Sequence, residues 1–94
     1  MAKIYIENNK SRADIKIYEE KSEIRADIIV FVEDRSPLRA KGDEKWFYVD
    51  NKSRADKTVC FVNSSSQADL KVYFTTSSIR AKWKKSHELR GRIE

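Results

Sequence analysis

A chain of 94 residues carrying 20 Lys and Arg against 15 Asp and Glu has room for one domain with a modest core, and a net charge of +5. One cysteine, Cys60, excludes an intrachain disulfide, and no apolar run approaches the length of a membrane-spanning helix. Although 37% of the residues are charged, the apolar ones come in dense, evenly spaced blocks rich in Ile, Val, Tyr and Phe, which disordered chains lack.

The blocks read as strands in chain order: Ile4-Tyr5-Ile6, Ile15-Lys16-Ile17-Tyr18, Ile28-Ile29-Val30-Phe31-Val32, Trp46-Phe47-Tyr48-Val49, Thr58-Val59-Cys60-Phe61-Val62 and Leu70-Lys71-Val72-Tyr73-Phe74. β-branched and aromatic residues suit a pleated, half-buried surface. The lysine between apolar neighbours at Lys16 and Lys71 predicts one buried and one wet face, whereas the unbroken run at 28–32 predicts the most central strand, covered on both sides. Cys60 lies inside such a run and reads as a small buried hydrophobe rather than a nucleophile.

Between the strands a serine, a short spacer and an alanine recur. The alanines are Ala13, Ala26, Ala40, Ala55, Ala68 and Ala81, spaced 13, 14, 15, 13 and 13 residues apart. So short and regular a period marks a repeat architecture. Ser11-Arg12-Ala13-Asp14, Ser53-Arg54-Ala55-Asp56 and Ser66-Gln67-Ala68-Asp69 fit Ser-x-x-Asp, close to a capping box, in which the serine accepts from an orphan N–H of a helical turn. Ser36-Pro37 fits the same idea, with proline at the first helical position. Ser22 through Ala26 and Ser78 through Ala81 allow a slightly fuller turn. With two glycines and one proline, capped turns rather than glycine hairpins are the expected connections.

A longer period lies above this one. Lys10-Ser11-Arg12-Ala13-Asp14 returns unchanged as Lys52-Ser53-Arg54-Ala55-Asp56, an offset of 42. The chain therefore divides into tandem halves of three units, about 4–41 and 46–83, within a single domain 1–94, with a polar seam at residues 41–45 and a basic C-terminal tail 84–94. Connections of seven to ten residues fall short of an ordinary parallel crossover. Consecutive strands are thus expected to be antiparallel neighbours, or else the chain winds so that neighbours come from different units. A three-unit half is too small to bury its own faces, so the halves must pack together.

Repeated Lys-Ser-x-Ala-Asp followed by an aliphatic-aromatic strand resembles the septoil-knot domain family of small bacterial proteins of uncharacterised function. The resemblance runs from Ile4 to about Lys85. It implies interlaced halves and a chain path of seven crossings, and it brings no catalytic residues, cofactor or metal. The expected fold class is β-rich α+β: six short strands, each followed by a capped one-turn helix, in two interlaced halves.

Candidate chemistry is sparse. Asp14, Asp27, Asp56 and Asp69 recur at one place in their units, which argues for a cap or strand-entry role over a metal cluster. His87 stands alone in a charged tail, without a second histidine or cysteine at zinc spacing. There is no nucleophile elbow and no phosphate-cradling glycine loop. An enzyme is not expected. The expectation is a non-enzymatic stable module acting through its surface, an accessory or protection factor. The alternative is nucleic-acid binding by the basic C-terminal segment. Arg80, Lys82, Lys84, Lys85, Arg90 and Arg92 give residues 80–94 a charge of +4 and would neutralise phosphates or meet an acidic protein, while Trp83 would stack on a base. Trp83 has a competing and favoured role in closing the core, since Trp46 occupies a related place in the other half, each tryptophan following its Ala-Lys pair (Ala40-Lys41 and Ala81-Lys82) by a few residues. With no leader pattern of charged and apolar stretches, a cytoplasmic monomer is expected.

Overall fold

The computed structural model describes residues 2–34 and 42–93. Among the described residues seven strands form one sheet: β1 (Ala2–Ile6), β2 (Ile15–Glu19), β3 (Ile28–Val32), β4 (Lys45–Tyr48), β5 (Lys57–Phe61), β6 (Leu70–Thr75) and β7 (Lys82–Trp83). Their order is β4-β1-β5-β2-β6-β3-β7, and β3 also pairs with β4. The first six therefore close into a barrel in which strands of the two halves alternate. Every pairing within the barrel is parallel, and β7 runs antiparallel to β3. Of the two arrangements the spacing allows, the chain takes the one in which neighbours come from different units.

The register explains how such short links serve parallel strands. The first residue of β5 faces the third of β1 (Lys57 and Ile4), and the same step recurs at Ile15 and Val59, Leu70 and Ile17, and Ile28 and Val72. As a result Ile6, which ends β1, and Ile15, which begins β2, both pair with Val59. Glu19 and Ile28 likewise share Val72, Phe61 and Leu70 share Ile17, and Tyr48 and Lys57 share Ile4. Each link therefore crosses two strand spacings, about 10 Å, and need not travel back along the strand. Residues 7–14 suffice for this, with slack for a tight turn. The stagger of two also preserves side-chain alternation, so inward residues face inward residues around the ring.

The connections contain three-residue 3-10 turns rather than α-helical ones: Glu23–Arg25, Lys52–Arg54, Ser65–Gln67 and Ser78–Arg80. The cap falls two residues before the expected Ser53 and Ser66, one before Ser78 and at the expected Ser22, and of these four turns only the one at Asn51 has a side-chain cap bond. The capping position lies four before each alanine, at Ser22, Asn51, Ser64 and Ser77, so the motif serines Ser53 and Ser66 sit inside the turn. Asn51 accepts from Ser53 N–H at 3.0 Å and from its hydroxyl at 2.7 Å, and Asn9 does the same for Ser11. The alanine closes the turn, as when Ala55 N–H donates to Lys52 O at 3.2 Å. The turn expected at Ser36-Pro37 and Ala40 lies outside the described residues.

The core is the barrel interior. Ile4, Val59, Ile17, Val72, Val30 and Trp46, one residue from each strand, are all 0% exposed. As its unbroken run predicts, β3 buries Ile28, Ile29 and Val30 in succession. It is covered laterally by β6, β4 and β7. Cys60 is buried, with its Sγ 3.9 Å from Asn8 O.

Candidate functional site: the open and closed ends of the barrel

Because all six barrel strands run the same way, they end together at one opening. Alternation along each strand brings Ile6, Glu19, Val32, Tyr48, Phe61 and Phe74, one from each, to the inner rim there. Below them Trp46 forms the floor. It meets Tyr48 edge-on with ring centroids 6.5 Å apart, and Phe74 edge-on at 5.9 Å. Phe74 in turn leans on Phe61 at 6.2 Å. Tyr48, Phe61 and Phe74 line a concavity of about 560 Å3, joined by Phe31 and Val32 and bordered by Glu19, Asp34, Thr75 and Thr76. Glu19 is the one charged member of the inner rim. Burial, and to a lesser degree the Glu19 charge, push the Tyr48 phenol up to about 12. The phenol is thus neutral at physiological pH, beside a carboxylate and over an aromatic floor.

The opposite opening is closed by the C-terminal segment. Lys84 and Lys85 N–H donate to Asp27 O at the entry to β3, at 2.8 and 3.2 Å. His87 Nδ1 accepts from Leu89 N–H at 3.1 Å, which makes Nε2 the donor to Asp69 O, 2.9 Å away at the entry to β6. Ahead of β4, the buried Asp43 carboxylate accepts from Ile93 N–H at 3.0 Å, from the Trp83 indole at 3.2 Å and from Gly91 N–H. Gly91 takes φ +81°, a conformation costly for residues with a Cβ, and this turns the chain so that Ile93 enters the core at 0% exposure. The tail expected at 84–94 is therefore, through Ile93, the lid of the barrel. No periodicity marks a single isoleucine near a terminus, so the sequence carried no signal for it.

The residues proposed for nucleic-acid contact lie around this closed end. Lys82, Lys84, Lys85, Arg90 and Arg92 are exposed. Arg80 makes two 2.8 Å contacts with the Glu23 carboxylate. Trp83 does not stand out as a stacking platform. It is half-buried, packs against the core, donates to Asp43 and stacks on His87 with centroids 5.9 Å apart.

The four repeated aspartates are spread along the barrel and each is engaged. Asp14, Asp27, Asp56 and Asp69 accept, through Oδ2, from the N–H of Thr58, Lys71, Lys3 and Lys16 at 2.8–3.0 Å. Every one of these bonds joins one half to the other, so the residues serve strand entry rather than turn capping. Among the described residues no group of three His, Cys, Asp or Glu is placed to hold a metal. No helix among them is long and apolar enough to cross a membrane.

A family model described as the 7(1) septoil knot domain matches residues 1–84. No curated protein and no solved structure matches the chain.

Proposed function

Since the chain belongs to the septoil knot domain family, whose function is unknown, we propose that it is a non-enzymatic binding module whose working face is the open end of the barrel. The carrying observation is the concave rim itself: one residue from each barrel strand, three of the six aromatic, over a fully buried Trp46. Ligands of parallel-strand folds gather at the carboxyl ends of the strands, where side chains from many elements converge on a rigid frame. The engagement of Asp14, Asp27, Asp56 and Asp69 with backbone N–H groups favours a structural use of these carboxylates over acid–base catalysis. The test is a ligand screen read by amide and ring NMR shifts. Shifts gathered at Glu19, Val32, Tyr48, Phe61 and Phe74 are expected. Shifts gathered at residues 82–92 would move the working face to the closed end.

The knotted path belongs to the same reading, supported by the strict alternation of halves around the barrel. A threaded chain pulled from one end must unthread or tighten. An ATP-driven protease is thus expected to process it more slowly than an unknotted domain of equal stability, and equal rates would remove this part of the proposal.

The second reading, nucleic-acid binding, is favoured by the grouping of exposed Lys84, Lys85, Arg90 and Arg92 at the closed end. With Trp83 occupied by Asp43 and His87, it rests on phosphate contacts. Anisotropy with labelled oligonucleotides at two salt concentrations tests it, since phosphate recognition weakens steeply with salt. Paired Lys84→Glu and Lys85→Glu substitutions are the right control, because deleting the segment would also remove Ile93 from the core.

A further inference from the structure

We propose that the open end of the barrel is a site for a small alkylammonium compound, an inference that rests on the open end being the working face. Four observations converge on that chemistry. The concavity, about 560 Å3, falls within the size range of small-molecule sites and is too large for a lone metal ion. Its walls are the rings of Tyr48, Phe61, Phe74 and Phe31, whose π-faces attract cations and whose apolar surface accommodates the alkyl part. Among the described residues its charged lining, Glu19 and Asp34, is entirely carboxylate. Finally, Trp46 supports Tyr48 and Phe74 from below in edge-on contacts, so the rings are held in place before a ligand arrives.

An anion would face two carboxylates here. A neutral apolar ligand would leave Glu19, at the inner rim beside Tyr48, without a counter-charge among the described residues, at a position where the other strands contribute Ile, Val, Tyr or Phe. An ammonium group carried on a short alkyl body answers both features of the site. The exposed Thr76 and the half-buried Thr75 hydroxyls add acceptors at the edge for an N–H or O–H of the ligand.

The test is an NMR titration of the full chain with choline, and separately with its neutral carbon isostere 3,3-dimethylbutanol. Choline is expected to shift the rings of Tyr48, Phe61 and Phe74 together, with one dissociation constant, and the isostere to bind roughly tenfold more weakly. Glu19→Gln, at an exposed rim position, is expected to weaken choline about fivefold with the isostere unchanged and the melting temperature preserved. Equal binding of choline and isostere would overturn the cation proposal and leave an apolar working face. No shift at the rim with either probe, together with shifts elsewhere in the ligand screen, would overturn both. Unaltered choline affinity in Glu19→Gln would overturn the role given to the carboxylate, and with it the proposal.

Discussion

Asp27 and Lys71 exchange two hydrogen bonds across the two halves of the chain. Asp27 N–H donates to Lys71 O at 2.9 Å, and Asp27 Oδ2 accepts from Lys71 N–H at 3.0 Å. Asp56 with Lys3 and Asp69 with Lys16 repeat this clasp, and Asp14 does so with Thr58, whose Oγ1 stands in for the carbonyl. Each aspartate stands just before a strand and reaches the preceding strand in barrel order. The clasps thereby hold the stagger of two residues at four strand pairs and tie each half to the other.

Asp27→Ala should therefore destabilise the fold by about 1.5–3 kcal/mol, the range for a lost bond to a charged acceptor. Asp27→Asn, which keeps an acceptor oxygen, should cost less. Urea denaturation of the two variants measures the difference, and equal costs would show that a neutral acceptor recovers nothing and that the carboxylate charge carries the whole contribution.

Asp43 should matter more. Its buried carboxylate gathers Ile93, Gly91 and the Trp83 indole, so Asp43→Ala leaves three donors without that acceptor and loosens the lid. A loss of at least ~3 kcal/mol is expected, with fast amide exchange confined first to the residues after Lys82. Ile93→Ala should cost about 2–4 kcal/mol by opening a cavity at the closed end.

Trp83→Phe keeps a ring beside His87 and removes the N–H to Asp43. A cost of about 1–2 kcal/mol is expected, since a charged acceptor loses one of several donors. Any oligonucleotide affinity is expected to remain unchanged, because the ring already stacks on His87. A large drop in affinity at constant stability would return Trp83 to a binding role.

High pH should act through Tyr48. Its phenol ionises at about 10 in an unfolded chain and is held at about 12 in the fold, mainly by burial. A raised folded value means that the neutral form is favoured. The contribution is complete below pH 10 and is lost as the pH rises through 12, and two pH units correspond to about 2–3 kcal/mol at most. Tyr48→Phe should remove this alkaline loss while leaving neutral-pH stability nearly unchanged, as denaturation at pH 7 and pH 11.5 would show.

Much of the architecture is legible in the residues. The six apolar blocks mark the strands to within two residues at each end, because β-branched and aromatic runs bounded by polar turns have few other solutions. Ala26, Ala55 and Ala68 mark where their turns close, and the pentapeptide at 10–14 recurs unchanged at 52–56. Strand entry was also readable as one of two roles for the aspartates. The cap was misplaced because serine and asparagine are both good capping residues and both occur around the turn. Asn9 and Asn51 stand two residues before the motif serines, and composition cannot choose between the two sites.

Pairing was not legible. Period-two patterning tells which face of a strand is wet but not which strand lies beside it. The partners here lie 44 or 53 residues away, as Asp27 to Lys71 and Asp56 to Lys3 do. Short links argued against parallel neighbours until the two-residue stagger brought the end of one strand level with the start of the next. The seventh strand, the lid built from Ile93 and Asp43, and the meeting of Glu19 with Tyr48 and Phe61 at one rim all depend on that closure. Local patterning reflects burial and backbone preference, which each residue carries along the chain. Which residues meet is set by closing six staggered strands into a ring, and that is a property of the whole chain.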